Sequence, residues 1–253
     1  MSCDTYLEAQ PPKNIIFLHG GPGMDPSYFM PYCGEVNGNL YFYKQGSINE
    51  DANSIFCLVE ELNQFIEMNN ILNPILMGHS FGGALALEFI KEYPGKIKSL
   101  LLSCPVFSID WVDEYVKNTP DGEDEYVLRD ELSESDNYLE ECMFYKDKYF
   151  HYNFTTIAES IFKKIDYNLV LRRKINESYL NKFDCTETVS SLEMKTLLIY
   201  GALDEVVFPA HIEKFYSLNS NILSHKFNNS KHFPFIEEKE KFTRIVNTFL
   251  QDI

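Results

Sequence analysis

Short apolar runs recur along the chain without polar alternation: Asn14-Ile-Ile-Phe-Leu18, Leu40-Tyr-Phe-Tyr43, Pro74-Ile-Leu-Met77, residues 97–102 and Thr196-Leu-Leu-Ile-Tyr200. Consecutive β-branched and aromatic residues of this length suit strands buried on both faces, as in a parallel sheet. Residues 222–227 supply a sixth strand. Between the runs the period changes to that of a helix with one buried face. Residues 51–68 carry apolar side chains at 55, 58, 59, 62, 65 and 66, and residues 238–250 carry them at 242, 245, 246, 249 and 250. A further helix spans residues 84–90 and ends near Tyr93-Pro94-Gly95. Alternating strands and helices predict an α/β fold, a doubly wound, mostly parallel sheet of about six strands with its chemistry at the strands' carboxyl ends.

From residue 106 to 193 the pattern is different. Aromatic, acidic and asparagine residues replace the β-branched runs, and helices are expected near 110–116, 138–149, 157–165 and 178–183, with a solvated acidic loop at Asp121-Gly-Glu-Asp-Glu125. The segment has too little core of its own for an independent domain. It is expected to be an inserted helical cap, so that residues 1–105 and 194–253 form the two parts of one core.

Composition narrows the setting. The 253 residues, 45% hydrophobic, suffice for one large α/β domain with an insertion. No run is long enough to span a membrane, and the first residues lack the basic start and apolar core of a signal peptide, so a cytoplasmic protein is expected. A formal charge of −16 argues against nucleic acid and anionic membranes as partners, leaving a small molecule or short peptide. The six cysteines are scattered without a C-x-x-C pair, the usage of reduced thiols. No metal or cofactor is implied.

The candidate chemistry centres on Gly78-His-Ser80-Phe-Gly-Gly83, which lies between the third strand and a helix. Gly-x-Ser-x-Gly in that setting is a sharp turn whose glycines avoid collisions between close backbones and whose serine hydroxyl projects from the top of the sheet. The N–H of Phe81 opens the helix and points toward any oxyanion formed there. After the first strand comes His19-Gly20-Gly21-Pro22-Gly23, a loop in which the N–H of Gly21 can approach the same oxyanion. A serine hydroxyl needs a base, and the base needs a carboxylate to fix its tautomer. Asp204 follows the fifth strand and His232 the sixth, each at a strand's carboxyl end. Asp110 is the alternative acid. His79 fills the variable position of the turn, His19 holds the glycine loop, and His151, His211 and His225 are structural.

His19-Gly-Gly-Pro-Gly23 with Tyr28, Gly-His-Ser-Phe-Gly-Gly83, Gly201-Ala-Leu-Asp204-Glu205 and Lys231-His-Phe-Pro-Phe-Ile-Glu237 together resemble the proline iminopeptidase branch of the α/β-hydrolase fold. The resemblance covers residues 14–106 and 186–250 and is weak between them. It implies a serine hydrolase acting through an acyl-enzyme and releasing a small N-terminal residue. It also implies that Glu205 and Glu177, the latter in an Asn176-Glu177 pair, anchor the substrate's free amine. Two features depart from the branch. Lys44-Gln45-Gly46 stands where Asp-Gln-Arg-Gly is usual, and the hairpin that normally precedes the first strand is absent, an exposed edge that a homo-oligomer would cover. A carboxylesterase needs the same three residues without the amine anchor, and a non-catalytic binding protein on the same scaffold needs none of them.

Overall fold

The computed structural model describes residues 12–48, 52–124 and 138–253. Six strands, β1 (Asn14–Leu18), β2 (Asn39–Tyr43), β3 (Ile75–His79), β4 (Ser99–Ser103), β5 (Thr196–Gly201) and β6 (Ile222–Phe227), form one sheet in the order β2-β1-β3-β4-β5-β6. Every pairing is parallel. β3, β4 and β5 are buried along their whole length, which is why their residues show no polar alternation. The helix Ile55–Met68 starts where the Ser54 side chain accepts from the N–H of Cys57. The helix Lys239–Gln251 buries Phe242, Val246, Phe249 and Leu250 against the core.

The strand order fixes where a site can form. β1 lies between β2 and β3, so the chain leaves β1 toward one edge and leaves β3 toward the other. Their following loops diverge and open a crevice at the carboxyl ends, the usual place for ligands in such sheets. That crevice is floored by the loop of Gly20 and Gly21 and by the turn at Ser80. The turn fits because glycine leaves room for backbone on backbone. A Cβ at Gly82 would lie 2.1 Å from the carbonyl oxygen of Leu18, and one at Gly78 would lie 2.5 Å from that of Gly82.

Several expected boundaries shift. β3 continues through Gly78 and His79, which the apolar run alone did not include. The single helix expected over 138–149 is broken at Tyr145 into Tyr138–Phe144 and Lys146–Tyr149. Its φ of −94° and ψ of 12° turn the chain there. A helix over Leu169–Ile175 had no apolar period to announce it, because Arg172-Arg173-Lys174 interrupts the spacing; Asn168 starts it by accepting from the N–H of Leu171. Asn176–Leu180 forms a π-helical turn in place of the helix expected over 178–183. Residues 122–124, expected as part of an acidic loop, are helical, with acidic side chains suited to a first turn; Glu125 lies outside the described residues.

The loop after β2, where the sequence departs from the branch pattern, is held in another way. Glu61, on the helix Ile55–Met68, accepts from the N–H groups of Gly46 at 3.1 Å, Ser47 at 2.8 Å and Ile48 at 3.0 Å. Lys44 pairs with Asp166 at 2.6 Å. No helix among the described residues is long and apolar enough to cross a membrane. Cys33, Cys57, Cys104, Cys142 and Cys185 are free thiols.

Because Gly82 admits no side chain without moving β1, Gly82→Ala is expected to destabilise the fold by about 3 kcal/mol, the upper range for overpacking. The shift of the urea midpoint measures it, and a loss below about 0.5 kcal/mol, the scatter of harmless substitutions, would contradict the close approach.

Candidate active site

Ser80 occupies the corner between β3 and the helix Phe81–Glu92 with φ +53° and ψ −120°, a conformation that an L-residue rarely adopts. Its surroundings over-determine it. Its N–H donates to the carbonyl of Ser103 at 3.0 Å, and its carbonyl accepts from Gly83 at 2.9 Å. The Ser80 side chain is half-buried on the wall of a cavity of about 190 Å³. Phe81 is the first residue of the helix, so its N–H has no carbonyl one turn back.

Asp204 and His232 meet beneath the same cavity. Nδ1–H of His232 donates to Oδ2 of Asp204 at 2.8 Å, and both side chains are almost wholly buried. Oδ1 of Asp204 accepts from the N–H groups of Val206 at 2.8 Å and Val207 at 3.0 Å. Both carboxylate oxygens are therefore partnered, which lets the charge stay buried. With Nδ1 protonated by this bond, Nε2 is the basic nitrogen of the ring. His232 lines the cavity, as does Ser80. Asp110, the alternative acid, is half-exposed and pairs with Lys214 at 2.5 Å. The structure brings Asp204, not Asp110, to the imidazole.

Cys104 lies close by, its Sγ, an Asp204 oxygen and a His232 nitrogen all within 4.8 Å of one another. These are donor types that could hold a metal ion. The chemistry of the set fits the hydrogen-bonded pair better: Nδ1 is committed to Asp204, and burial, reinforced by the Asp204 charge, pushes the Cys104 thiol well up, against the thiolate that a metal requires.

His79, in the variable position of the turn, has a part that the motif did not disclose. Tyr28 receives the N–H of Gly20 on its hydroxyl oxygen and donates to Nδ1 of His79 at 2.9 Å. Nε2–H of His79 donates to the carbonyl of His232 at 2.9 Å. Burial holds His79 well below its usual pKa, so it is neutral, as one donor and one acceptor nitrogen require. One hydrogen-bonded chain thus ties the loop after β1, the turn at Ser80 and the loop after β6. The N–H of Gly20 is committed to Tyr28, and Gly21, at φ +40°, lines the same cavity as Ser80. His19 holds that loop as expected: Nε2 accepts from the N–H of Gln45 at 3.1 Å, and burial lowers its pKa to about 4.

The helices between β4 and β5 complete the cavity. A Cβ on Gly21 would stand 2.2 Å from the Tyr138 hydroxyl, and one on Gly23 would stand 2.2 Å from the carbonyl of Asn168. The glycine loop is therefore packed against Tyr138 and the start of the helix Leu169–Ile175. Among the described lining residues, Glu141 is the one carboxylate and Arg172 the one fixed cation, and they pair with each other. Neither was singled out in the sequence, where they sit in an aperiodic segment. Glu205 and Glu177 do not line the cavity. Glu205 is half-exposed and pairs with Lys231 at 3.1 Å, and Glu177 is exposed.

Glu237 braces the loop that carries His232. Its Oε1 accepts from the N–H of His151 at 2.7 Å, and its Oε2 accepts from Lys231 at 2.9 Å and Phe233 at 3.3 Å. Burial, with a smaller push from Asp204, raises its pKa to about 7. A carboxyl whose folded pKa lies above its unfolded one costs stability as pH rises between the two values, because the unfolded chain ionises first. Relative to Glu237→Gln, wild type is expected to lose about 3 kcal/mol between pH 4 and pH 8, by the linkage of 1.36 kcal/mol per unit. Urea unfolding of both proteins across that range checks it; parallel curves would contradict the buried carboxyl.

Comparison with known proteins agrees with this architecture. The model of the alpha/beta hydrolase fold family matches residues 13–239. The proline iminopeptidase of Saccharolobus solfataricus is 24% identical over 274 aligned positions, covering 95% of this chain and 86% of its own. That of Heyndrickxia coagulans is 27% identical over 268 positions, covering 94% and 91%. Among solved structures, the esterase EaEST from Exiguobacterium antarcticum superposes with a TM-score of 0.74 at 16% identity, over 95% of this chain and 92% of that one. The proline iminopeptidase of Mycobacterium smegmatis gives a TM-score of 0.71 at 19% identity, over 95% and 89%. The structural likenesses speak for the fold alone. With a family match over residues 13–239, this chain belongs to the alpha/beta hydrolase fold family, and the curated relatives it resembles are proline iminopeptidases.

Proposed function

We propose that the protein is a serine hydrolase that works through an acyl-enzyme. Nε2 of His232 takes the proton of the Ser80 hydroxyl as Oγ attacks the substrate carbonyl, and Asp204 stabilises the imidazolium that results. The N–H groups of Gly21 and Phe81 receive the oxyanion. His232 then gives its proton to the leaving group, and water, deprotonated by the same imidazole, releases the acyl group and restores Ser80. The observation that carries this reading is the buried Asp204–His232 pair at 2.8 Å, which opens on the same cavity as the strained Ser80. The helices between β4 and β5 act as a cap, which closes the cavity over a small substrate and excludes bulk water.

Two substrate classes follow from that chemistry. The relatives' name favours an aminopeptidase that releases a small N-terminal residue. The cavity wall favours a small ester or amide whose acyl group bears no free amine. An ammonium under the cap needs a carboxylate to itself, because an unpaired buried charge is expensive. Glu205 and Glu177 are off the cavity, and Glu141 is engaged by Arg172. We therefore favour the esterase or amidase reading.

Ser80→Ala is expected to abolish turnover and labelling by a fluorophosphonate. His232→Ala should cost about a thousandfold or more in kcat, and Asp204→Asn less, since the orienting acid is the least indispensable of the three. Steady-state kinetics on short acyl esters measure all three. A folded wild type that is never labelled, or a severe loss on Asp110→Asn with Asp204→Asn near wild type, would contradict the assignment.

A further inference from the structure

Arg172 lines the cavity and carries an unmet hydrogen bond. Its side chain is 6% exposed, and Nη2 donates to Glu141. Nη1 is buried without a hydrogen-bond partner, the one such side-chain atom among the described residues that line the cavity. The guanidinium sits over Tyr138, its central carbon 3.3 Å from the ring centroid. Its position is not free to drift. The N–H of Asn168, which caps the helix carrying Arg172, donates to the carbonyl of Gly23 at 2.7 Å. A Cβ on Gly23 would stand 3.2 Å from Cβ of Arg172. The cation is therefore keyed to the same glycine loop that holds Gly21.

What such a group lacks is an acceptor. A buried cationic N–H left without one is a defect that a ligand can remove, and an ionised acceptor removes it best, because charge-assisted bonds to guanidinium are the strongest of their kind. Nη1 and Nη2 share the end of the fork, so an incoming carboxylate can bridge to Arg172 beside Glu141. Among the described lining residues, no buried side-chain oxygen is left without a hydrogen-bond partner. We propose that Arg172 is a specificity residue that receives a carboxylate of the substrate, so that the preferred substrate is a small ester or amide whose acyl group ends in a carboxylate. This rests on the serine-hydrolase reading of Ser80 and names its substrate class.

Three esters test it: monomethyl glutarate, dimethyl glutarate and the methyl ester of β-alanine, which offer a carboxylate, its neutral cap and an ammonium. Wild type is expected to favour monomethyl glutarate in kcat/KM by about tenfold or more over both others, a discrimination that one buried polar contact can supply. In Arg172→Met the ratio of monomethyl to dimethyl glutarate should fall to about one or below, and Arg172→Lys should keep part of the preference, having the charge without the fork. Arg172→Met strands Glu141, so a measurement on wild type alone accompanies it: glutarate should slow fluorophosphonate labelling of Ser80, and glutaramide should not. Equal protection by both, or equal or faster turnover of the dimethyl or β-alanine ester, overturns the proposal. Absence of both turnover and labelling would instead remove the serine-hydrolase reading, and this one with it.

Discussion

The site depends on one close approach, that of Gly82 to the end of β1. A backbone carbonyl, Leu18, occupies the place where any Cβ at 82 would lie, so the helix after Ser80 starts against the strand that delivers the glycine loop. That contact brings the N–H groups of Gly21 and Phe81 to the same end of the sheet and holds Ser80 at positive φ. The strain costs something on the order of 1–3 kcal/mol, and it persists because the surrounding hydrogen bonds leave no alternative. The packing of Tyr138 and Asn168 onto Gly21 and Gly23 repeats the principle one layer up. There too the absence of a side chain on the loop is what lets the neighbouring element sit on it.

A second constraint is neutrality in a buried polar cluster. His19 and His79 are both far from solvent, and burial keeps both pKa values low. Each uses one nitrogen to donate and one to accept, so each acts as a fixed spacer between loops. His232 differs in having Asp204 on Nδ1, the arrangement in which an imidazolium can be stabilised when it forms. Three buried imidazoles at one end of the sheet thus have separate work, set by what sits opposite each nitrogen.

Much of this was legible in the sequence where local physics decides. Uninterrupted apolar runs gave the sheet, and Gly78, Ser80 and Gly82 gave the turn, because only glycine fits where backbones touch. Asp204 was preferred to Asp110 for its place after the fifth strand, but both follow strands, and it is the fold that brings the Asp204 carboxylate to His232. The helix Leu169–Ile175 and the pair of Glu141 and Arg172 were not legible at all. Their register is fixed by contacts with a loop almost 150 residues earlier, and no periodicity records such a contact. Glu205 and Glu177, chosen by motif position, sit outside the cavity, while the carboxylate on its wall came from a stretch without a motif.

The central claim is a covalent acyl intermediate on one hydroxyl, and Cys104, close to the same Asp204 and His232, is the obvious rival nucleophile. Intact-protein mass spectrometry on the enzyme quenched during turnover of a short acyl ester, followed by peptide mapping, distinguishes them. A mass increase equal to one acyl group is expected, carried by the peptide containing Ser80 and absent from Ser80→Ala. An adduct on Cys104, or turnover with no adduct at Ser80 under any quench, would contradict it.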